Sequence, residues 1–438
     1  MHTQQSDEPR TSRVVNATPF YYGWVILAVG TIGIILTSPG QTYTISVFID
    51  SFIADLGISR SLVSTLYTVG TLTASFAMPF IGRQIDQRGS RQMTIIIVLV
   101  FGVACFYMSF VRNALMLGLG FMALRMLGQG SLSLVSSNVI NQWWVRRRGM
   151  AMGIAGMVSA MLGSGSFPSL LNWLIPLLGW RSTYTLLGAI LWGVMLPIGF
   201  IFTRNRPEDY GLQPDGGTTS TEPAAPNAKS SDSDEPLLEE NWTRAEALRT
   251  TVFWLISGGM LVMGALNTGL TFHIFDIFRD SGLSSTVTAF VFIPMSATAA
   301  VVQLSGGLLM DRIPVRILLA IALCLQAVIL VMAPFLGSIE LAYVYGILAG
   351  TRGGLFMIVR SVIWAKYFGR QHLGSITGVV STLNVAGSAL GPMPFGIARD
   401  LMGNYQTVLI GFAVLPLIFA VATLLYVHPP KRSDIVGR

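Results

Sequence analysis

Two arginines, Arg352 and Arg360, stand in the otherwise apolar stretch TRGGLFMIVR at residues 351–360. A third, Arg125, stands in a similar stretch, LRMLGQG at 124–130. A guanidinium group keeps its charge in proteins and can hold an anionic group through two parallel hydrogen bonds. The chemistry that these residues offer is therefore the binding of a negatively charged ligand. The alternative is that each arginine bonds backbone carbonyls, a nearby amide or water and shapes the fold only.

A second group of titratable residues combines His273, Asp276 and Arg279, whose spacing places them on one broad face of a helix. Asp50 stands one residue from the position that matches Asp276 in the internal repeat described below. Histidine has the unperturbed pKa closest to neutrality, so these residues are candidates for proton coupling. They are equally candidates for a gate in which the carboxylates pair with arginines. Both alternatives stay open.

Three uncharged polar residues in apolar surroundings, Gln41, Asn267 and Asn384, could line a binding cleft beside the arginines. The alternative is that they form hydrogen bonds between helices, as polar residues in membrane proteins often do. We treat all three as candidate substrate contacts.

The composition of the 438-residue chain indicates the setting of these residues: 52% is hydrophobic, only 11% is charged, and the mean hydropathy is +0.62. Soluble domains carry about 25% charged residues, so this is the composition of a protein that crosses a membrane several times. Cys105 and Cys324 fall in separate apolar stretches and are interpreted as small buried hydrophobes. We expect no metal cluster, because the chain has only four histidines, and we expect no cofactor. We expect no nucleic-acid partner, because the basic residues behind the net charge of +7 cluster in short loops between apolar stretches.

Stretches long enough to cross a bilayer, which takes about 20 residues, occur twelve times. Backbone groups in hydrocarbon must bond within their own segment, so an all-α membrane protein is predicted. Arg352 lies roughly 18 Å deep in the tenth span at 1.5 Å per residue. The spans are placed at 22–49, 60–81, 93–111, 114–138, 149–172, 182–203, 251–277, 285–309, 316–336, 341–364, 373–397 and 405–427.

Lysine and arginine are concentrated in every second loop and near both ends of the chain, which predicts that both termini are cytoplasmic. The first apolar run is too long for a cleavable signal peptide and should remain as the first span. Residues 204–250 are poor in apolar side chains and rich in Ser, Pro and acids, which predicts a disordered cytoplasmic linker. The chain then divides into a first half at residues 1–203 and a second half at 251–438, each with a short cytoplasmic tail.

The two halves repeat with an offset of 225 residues. This shift maps Gly57 and Ser59 onto Gly282 and Ser284 in one loop, and it relates two further loops in the same way. Two similar six-helix bundles that face one another leave a cleft near the midplane, and rocking of one against the other opens that cleft to alternate sides.

The loop GRQIDQRGSR at 82–91 resembles the signature of the major facilitator superfamily between its second and third spans. The stretch LRMLGQG resembles the pattern of its fourth span. The segments YYGWVIL, SVFIDSF, WWVRRRGMAMGIAG and RPEDYGLQPDG resemble those of the monocarboxylate and oxalate–formate branch. The resemblance covers nearly the whole chain. It implies secondary transport by alternating access, with a cleft lined by the first, fourth, seventh and tenth spans among others.

The resemblance also implies a cytoplasmic gate motif, in which a carboxylate near a helix end and neighbouring arginines hold that side closed. In this sequence the residues are Gly82, Asp86, Arg88, Arg91, Asp311 and Arg316. One departure concerns the substrate. Carboxylate carriers of the branch typically place a charged residue in the eighth span, and here that span has none.

An enzyme is not expected, because the sequence shows no phosphate-binding loop, HExxH motif or nucleophile–base pair. The sequence predicts a carrier, functional as a monomer, of a small organic anion, most simply a carboxylate, driven by protons or by anion exchange. The main alternative is an exporter of drugs or cations from the same superfamily, which would normally use an acidic residue deep in a span. A transporter-like sensor is a further alternative.

Overall fold

The computed structural model describes residues 12–216, 242–306, 313–369 and 373–430. These residues form helices and connecting turns, with no β-strand among the elements that they contain. The predicted all-α membrane fold is therefore confirmed. Asp86, Ala365 and residues 373–375 lie on helices, but their side chains are outside the described part.

Each of the twelve predicted spans corresponds to a helix or to a run of helices, which we label α1 to α12. Gly179, at φ 76°, separates α5 from α6 within one long helical run. The segments are α1 (Gly23–Ile35 and Thr42–Leu56), α2 (Arg60–Arg88), α3 (Ser90–Ser109), α4 (Ala114–Trp143), α5 (148–178), α6 (180–202), α7 (Thr251–Asp280), α8 (Ser285–Leu304), α9 (Val315–Met332), α10 (Ile339–Phe368), α11 (Leu373–Leu390 and Pro392–Met402) and α12 (Gln406–Tyr426).

Nine candidate membrane spans are long and apolar enough by length and composition within the described residues. One of them, Arg148–Phe202, has 55 residues and contains both α5 and α6. The two remaining predicted spans, α2 and α11, are helical but more polar or divided. Both helices line the central cavity, which accounts for their polar side chains.

The first span is broken, although the sequence predicts one continuous helix over 22–49. Its helix stops at Ile35, and the turn Ser38–Gly40 precedes a second helix that starts at Thr42. Pro39 cannot donate a backbone hydrogen bond, which favours the break. Gly40 packs directly against the backbone of α4 at Leu124, so that any larger side chain would overlap its carbonyl. The carbonyl of Gly40 is thereby left free for another donor.

Buried side chains form four clusters that follow the two halves. Two clusters consist almost entirely of residues before position 203, and two of residues after position 241. Contact between the halves therefore rests on fewer residues than packing within each half. Those contacts include Phe272, whose ring centroid lies 4.6 Å from that of Tyr67.

Both ends of the predicted linker are ordered, and residues 217–241 lie outside the described part. At its start, the carboxylate of Asp215 accepts hydrogen bonds from the backbone N–H groups of Val145, Arg146 and Arg147 at 3.1, 2.7 and 3.0 Å. At its end, the N–H of Trp242 donates to the carbonyl of Phe368 at 3.1 Å. The linker is thus anchored on the loop after α4 and on the end of α10.

Replacement of Asp215 by Asn is expected to loosen the first anchor by about 1 kcal/mol, the usual size of a lost helix cap. Burial by itself raises the pKa of Asp215, but the hydrogen bonds from Arg146, Arg147 and Val145 outweigh burial and lower the pKa below its ordinary value. A lowered pKa means that the contact is fully formed above the ordinary carboxyl pKa and is lost only as the pH falls through the lowered value.

Hydrogen exchange at the amides of residues 145–147 measures this anchor. Protection should stay constant from about pH 8 to about pH 5 in the parent protein, since the carboxylate remains charged there. Protection should fall in Asp215→Asn but not in Asp209→Asn, a substitution in the neighbouring turn Glu208–Tyr210. Equal protection in the parent protein and in Asp215→Asn would show that the carboxylate does not hold the loop.

Candidate functional site

A cavity of about 510 Å³ lies between the two halves. Helices α2 and α4 of the first half and α7, α10 and α11 of the second half line it; the first span, which the resemblance implied, supplies none of the described lining residues. The lining residues are Thr71, Ala74, Ser75, Met78, Arg125, Gln129, Gly130, Met263, Gly264, Asn267, Thr268, Arg352, Gly353, Phe356, Met357, Arg360, Asn384, Val385 and Ser388.

Arg352 lies deep in this cavity, with 7% of its surface exposed. Its Nη2 donates a hydrogen bond to Oδ1 of Asn267 on α7, at 2.6 Å. This is the only hydrogen bond of its guanidinium within the described residues, so most of its N–H groups remain available to a ligand. Two residues that the sequence singled out separately are thus brought into direct contact.

Arg125 is buried to a similar degree, at 4% exposed, but its Nε and Nη1 donors bond to oxygens of the protein, including Oγ1 of Thr42 at 3.4 Å. Its Nη1 donates to the carbonyl of Gly40 at 3.0 Å, and its Nε donates to Oγ1 of Thr71 at 3.2 Å. Its guanidinium carbon lies 5.0 Å from the ring centroid of Tyr67. Arg125 therefore fastens the break in α1 to α2 and α4, which is the structural alternative that the sequence left open.

Three further candidates take different positions. Arg360 is exposed and lines the cavity, with no hydrogen bond or ion pair inside the described part of the chain. Asn384 lines the cavity, and its Nδ2 donates to the carbonyl of Val380 at 3.0 Å. Gln41 is not among the lining residues, since its Nε2 donates to Oγ1 of Thr37 at 3.0 Å, beside the break in α1.

The charge of the cavity is positive. Three arginines line it, and no aspartate or glutamate is among its described lining residues. The full sequence supports this count, because it contains no acidic residue at 87–207 or at 341–399, and none in α7 before Asp276. The remaining wall is mostly methionine, phenylalanine and small polar residues. A cavity of this type attracts anions and repels cations.

A cluster of ion pairs closes the end of the molecule that the sequence predicts to face outward. The carboxylate of Asp276, only 1% exposed, contacts three arginines: Arg60 at 3.2 Å, Arg399 at 3.4 Å and Arg279. Asp50 of the first half also pairs with Arg60, at 2.6 Å, and with Arg279. Since Arg60 belongs to the first half and Asp276 to the second, these pairs tie the two halves together. We call this set the outer ion-pair cluster.

His273 is buried one turn below this cluster and does not line the cavity. Its Nε2 lies 3.0 Å from the carbonyl of Pro392, which can only accept, so Nε2 is a protonated nitrogen. Its Nδ1 lies 3.1 Å from the hydroxyl of Tyr405, within hydrogen-bond distance. Ser64 of the first half lies 3.3 Å from Nε2. His273 is thus placed at the contact between the halves.

The predicted cytoplasmic gate motif is only partly described. The side chain of Asp86 and all of Asp311 lie outside the described part. Arg91 donates from Nη2 to the carbonyl of Phe200 at 2.8 Å, and Arg88 ends α2 beside a second, polar cavity of about 390 Å³. Gly82 lies in the last turns of α2, and Arg316 lies in the first turn of α9.

No group of three or more His, Cys, Asp or Glu side chains that could hold a metal ion occurs among the described residues. Cys105 is buried and Cys324 is exposed, each as a free thiol.

Sequence reasoning missed several residues of these two sites. Arg60 and Arg399 stand in the sequence as isolated charges near the ends of spans, and their role depends on contacts between spans. Thr71, Gln129 and Met263 line the cavity without any local signal in the sequence. The offset of 225 residues could have suggested that polar positions on α2 share a cleft with those on other spans.

Comparison with known proteins extends this description. The sequence profile of the Major Facilitator Superfamily matches residues 31–392 and 274–438.

A probable sulfoacetate transporter of Cupriavidus necator is 27% identical over 163 residues, which are 35% of this chain and 36% of that protein. A multidrug resistance protein B homolog of Mycobacterium tuberculosis is 27% identical over 164 residues, 37% of this chain and 30% of that one. The sialic acid transporter of Escherichia coli is 27% identical over 118 residues, 26% and 29% of the two chains. The matched segments span about a third of the length of these relatives.

Solved structures with the same fold include a bacterial homolog of the human lysosomal transporter Spinster, in two inward-facing states. The occupied state has a TM-score of 0.65 at 15% identity and covers 98% of this chain and 100% of that chain. The unoccupied state has a TM-score of 0.62 at 17% identity and covers 94% and 95% of the two chains. At this level of identity the likeness concerns the fold alone.

Proposed function

Because the chain belongs to the Major Facilitator Superfamily, we propose that it is a secondary active transporter of a small organic anion, most simply a carboxylate. Transport would proceed by alternating access, in which the two halves rock about the cavity between them. The single observation that carries the proposal is the charge of that cavity: three arginines line it without an acidic partner among its described lining residues.

The residues of the cavity take different roles in this proposal. Arg352 is the main anion contact, since most of its donors are free, and Asn267 orients it. Arg360 attracts anions at the exposed part of the cavity. Arg125 positions the break in α1, because its Nε and Nη1 bond to oxygens of the protein, and its charge adds positive potential to the cavity. Asn384 supplies a neutral polar contact.

Two of the relatives support an anionic substrate. Sulfoacetate and sialic acid, named for the Cupriavidus necator and Escherichia coli proteins, both carry acidic groups. Within the superfamily we place the chain in the monocarboxylate and oxalate–formate branch, on the segments quoted above. The neutral α8 argues for a substrate other than a lactate-like acid, because carriers of that branch typically hold a charge there.

A second candidate function is the export of drugs or cations by proton antiport. Similarity to the multidrug resistance protein B homolog favours it, and the methionines and Phe356 of the cavity wall could accommodate an apolar body. The charge of the cavity opposes it, because a cation would meet three arginines and no described acidic side chain there.

The outer ion-pair cluster is the gate on one side in this proposal, and the motif around Gly82, Arg88 and Arg91 belongs to the other side. Both ring nitrogens of His273 have hydrogen-bond partners in this conformation, so a role in proton coupling would require these partners to separate when the gate opens. We place both termini and the linker in the cytoplasm, on the distribution of lysine and arginine, and treat a single chain in the cell membrane as the working unit.

Uptake by purified protein in proteoliposomes tests the proposal. The panel should include sulfoacetate, sialic acid, lactate, oxalate and benzoate as anions, and tetraphenylphosphonium and ethidium as cations. We expect saturable uptake of at least one anion and none of either cation. Uptake of a cation without uptake of any anion would reject the charge argument and favour the exporter.

A further inference from the structure

The wall of the cavity changes character with depth. On α2, α4 and α10, the first lining residues from the predicted outer end are polar or charged. Arg352 donates there to Asn267 at 2.6 Å. Arg125 donates to Thr71 at 3.2 Å. We call these four residues the polar layer, because an acid group would find its hydrogen-bond donors here.

A mostly apolar layer follows further from the outer ion-pair cluster. A helix rises about 1.5 Å per residue, so a methionine on each of three helices lies about 6–10 Å beyond the polar-layer residue of the same helix. These pairs are Thr71 and Met78 on α2, Asn267 and Met263 on α7, and Arg352 and Met357 on α10. We call the three methionines, together with Phe356, the methionine layer.

The polar lining residues at the depth of the methionine layer are uncharged. They are Ser75, Gln129 and Asn384. Ser75 donates to the carbonyl of Leu72 at 2.6 Å, and Asn384 donates to that of Val380 at 3.0 Å, so both are already bonded within their own helices. Thioethers are flexible and polarizable and adapt to apolar groups of different shapes. This part of the cavity therefore suits an apolar group.

The cavity is also large for a lactate-like acid. Its volume of about 510 Å³ equals that of about 17 water molecules in the liquid. A small acid such as lactate or oxalate would fill roughly a third of it. Gly353, next to Arg352, borders this space, and a methyl group placed on it would meet no neighbouring helix of the described part within 4 Å. An acid group in the polar layer thus leaves room for a body beside it.

We propose that the transported anion is amphipathic. Its acid group bonds Arg352 in the polar layer, and an apolar body about 6–10 Å long, such as an aromatic ring or a medium-length alkyl chain, packs on the methionine layer. Met78, Phe356 and Met357 then determine specificity for the body. This inference rests on the proposed function and narrows its substrate class.

Arg360 supplies the alternative, a substrate with an acid group at each end. It lies eight residues beyond Arg352, about 12 Å along α10. Arg360 is exposed, so solvent screens its charge and weakens its hold on a second acid group. The single acid group of our proposal follows from this difference between the two arginines.

Binding of alkanesulfonates to the purified protein, measured by equilibrium dialysis, tests the apolar body. A sulfonate carries one negative charge at neutral pH and does not enter detergent as a neutral acid. Each methylene that becomes buried should increase affinity by about fourfold. We expect hexanesulfonate to bind at least about tenfold more tightly than ethanesulfonate. Arg352→Gln, which should lose this binding, is the reference for partition into detergent.

Equal affinity for the two sulfonates would overturn the amphipathic substrate while leaving anion transport intact. Tighter binding of a hexanedisulfonate, with an acid group at each end, would also overturn it, because a charge would then lie where we place the apolar body. Equal binding of hexanesulfonate by the parent and by Arg352→Gln would move the acid group away from the polar layer. Failure of the whole anion panel in transport, with no sulfonate bound, would instead reject the proposed function.

Two substitutions locate the body within the cavity. Gly353→Val fills the space beside Arg352 and should reduce the preference for hexanesulfonate over ethanesulfonate by at least about threefold. Met357→Gln keeps the length of a half-exposed side chain but makes it polar, and should reduce the preference in the same direction. Gly411→Val, on the exposed face of α12 with no neighbouring helix of the described part within 4 Å, is the matched control and should keep the parent's preference. An unchanged preference in both cavity variants would contradict the proposal.

Discussion

Arg352→Gln is expected to reduce uptake of the transported anion by about 100-fold or more, since loss of one partner of a buried charge pair costs roughly 2–5 kcal/mol. Arg352 lies between α7 and α10 with one hydrogen bond from its guanidinium, to Asn267. Glutamine fits the space and can still bond Asn267, but it cannot attract an anion or offer it two parallel donors. Uptake in proteoliposomes at matched protein density measures the effect.

Arg360→Gln is the matched control, since it removes the same group from the same helix and the same cavity at an exposed position. Its effect should be smaller and should weaken further at high salt, because solvent screens exposed charges. Arg352→Lys should recover part of the activity through its charge alone. Full uptake by Arg352→Gln, with normal amounts in the membrane, would remove Arg352 from the binding site.

The depth of these arginines in the membrane could be predicted from the sequence, because depth depends only on position along a span. A span must cover the hydrocarbon, its rise per residue is fixed, and a charge far from both ends must face the interior of the bundle or its cleft. The offset of 225 residues makes α4 and α10 counterparts in the two halves. Counterpart helices of two bundles that face one another are expected to border the same cleft. Arg125 and Arg352 do line one cavity.

The partner of each arginine could not be predicted in this way, because it depends on how helices distant in sequence pack. Asn267 precedes Arg352 by three spans, and its contact is fixed by the rotation of α7 about its own axis. The break in α1 occurs at the sequence Ser-Pro-Gly, but the apolar composition of residues 22–49 predicts a continuous span. A continuous helix would not leave the carbonyl of Gly40 free. The hydrogen bond from Arg125 to this carbonyl therefore could not be predicted.

The partners within the outer ion-pair cluster could not be predicted from the sequence either. The sequence placed Asp276 and Arg279 on one helix face and left open whether they couple protons or close a gate. The structure adds Arg60 from α2 and Arg399 from α11, which enclose the same carboxylate from two other directions. The three arginines stabilise the negative charge of this carboxylate by direct ion pairing. This geometry favours the gate, and it makes the cluster the main tie between the halves at that end.

Asp276→Asn is therefore expected to open the predicted outer end. Asparagine keeps the shape of the side chain but leaves three arginines facing a neutral group, and breaking a buried ion pair costs about 3–5 kcal/mol. Since the contact with Arg60 crosses between the halves, that energy is lost from the state in which the outer end is closed. The equilibrium should move toward the outward-open state by roughly 100-fold or more.

A cysteine introduced at Ser388, which lines the cavity, in a background with Cys105→Ala and Cys324→Ser, measures this shift. Its alkylation by a membrane-impermeant reagent from the predicted outer side reports opening of that end, and transported anion is kept at saturating concentration on both sides. Asp55→Asn is the control, because Asp55 pairs with Arg181 at 2.6 Å near the same end, but within the first half and with both side chains more than a third exposed. An exposed pair contributes about 0–1 kcal/mol and does not join the halves, so its loss should leave alkylation nearly unchanged. If both variants accelerate alkylation equally, general loosening of that end, rather than the buried carboxylate between the halves, governs the gate.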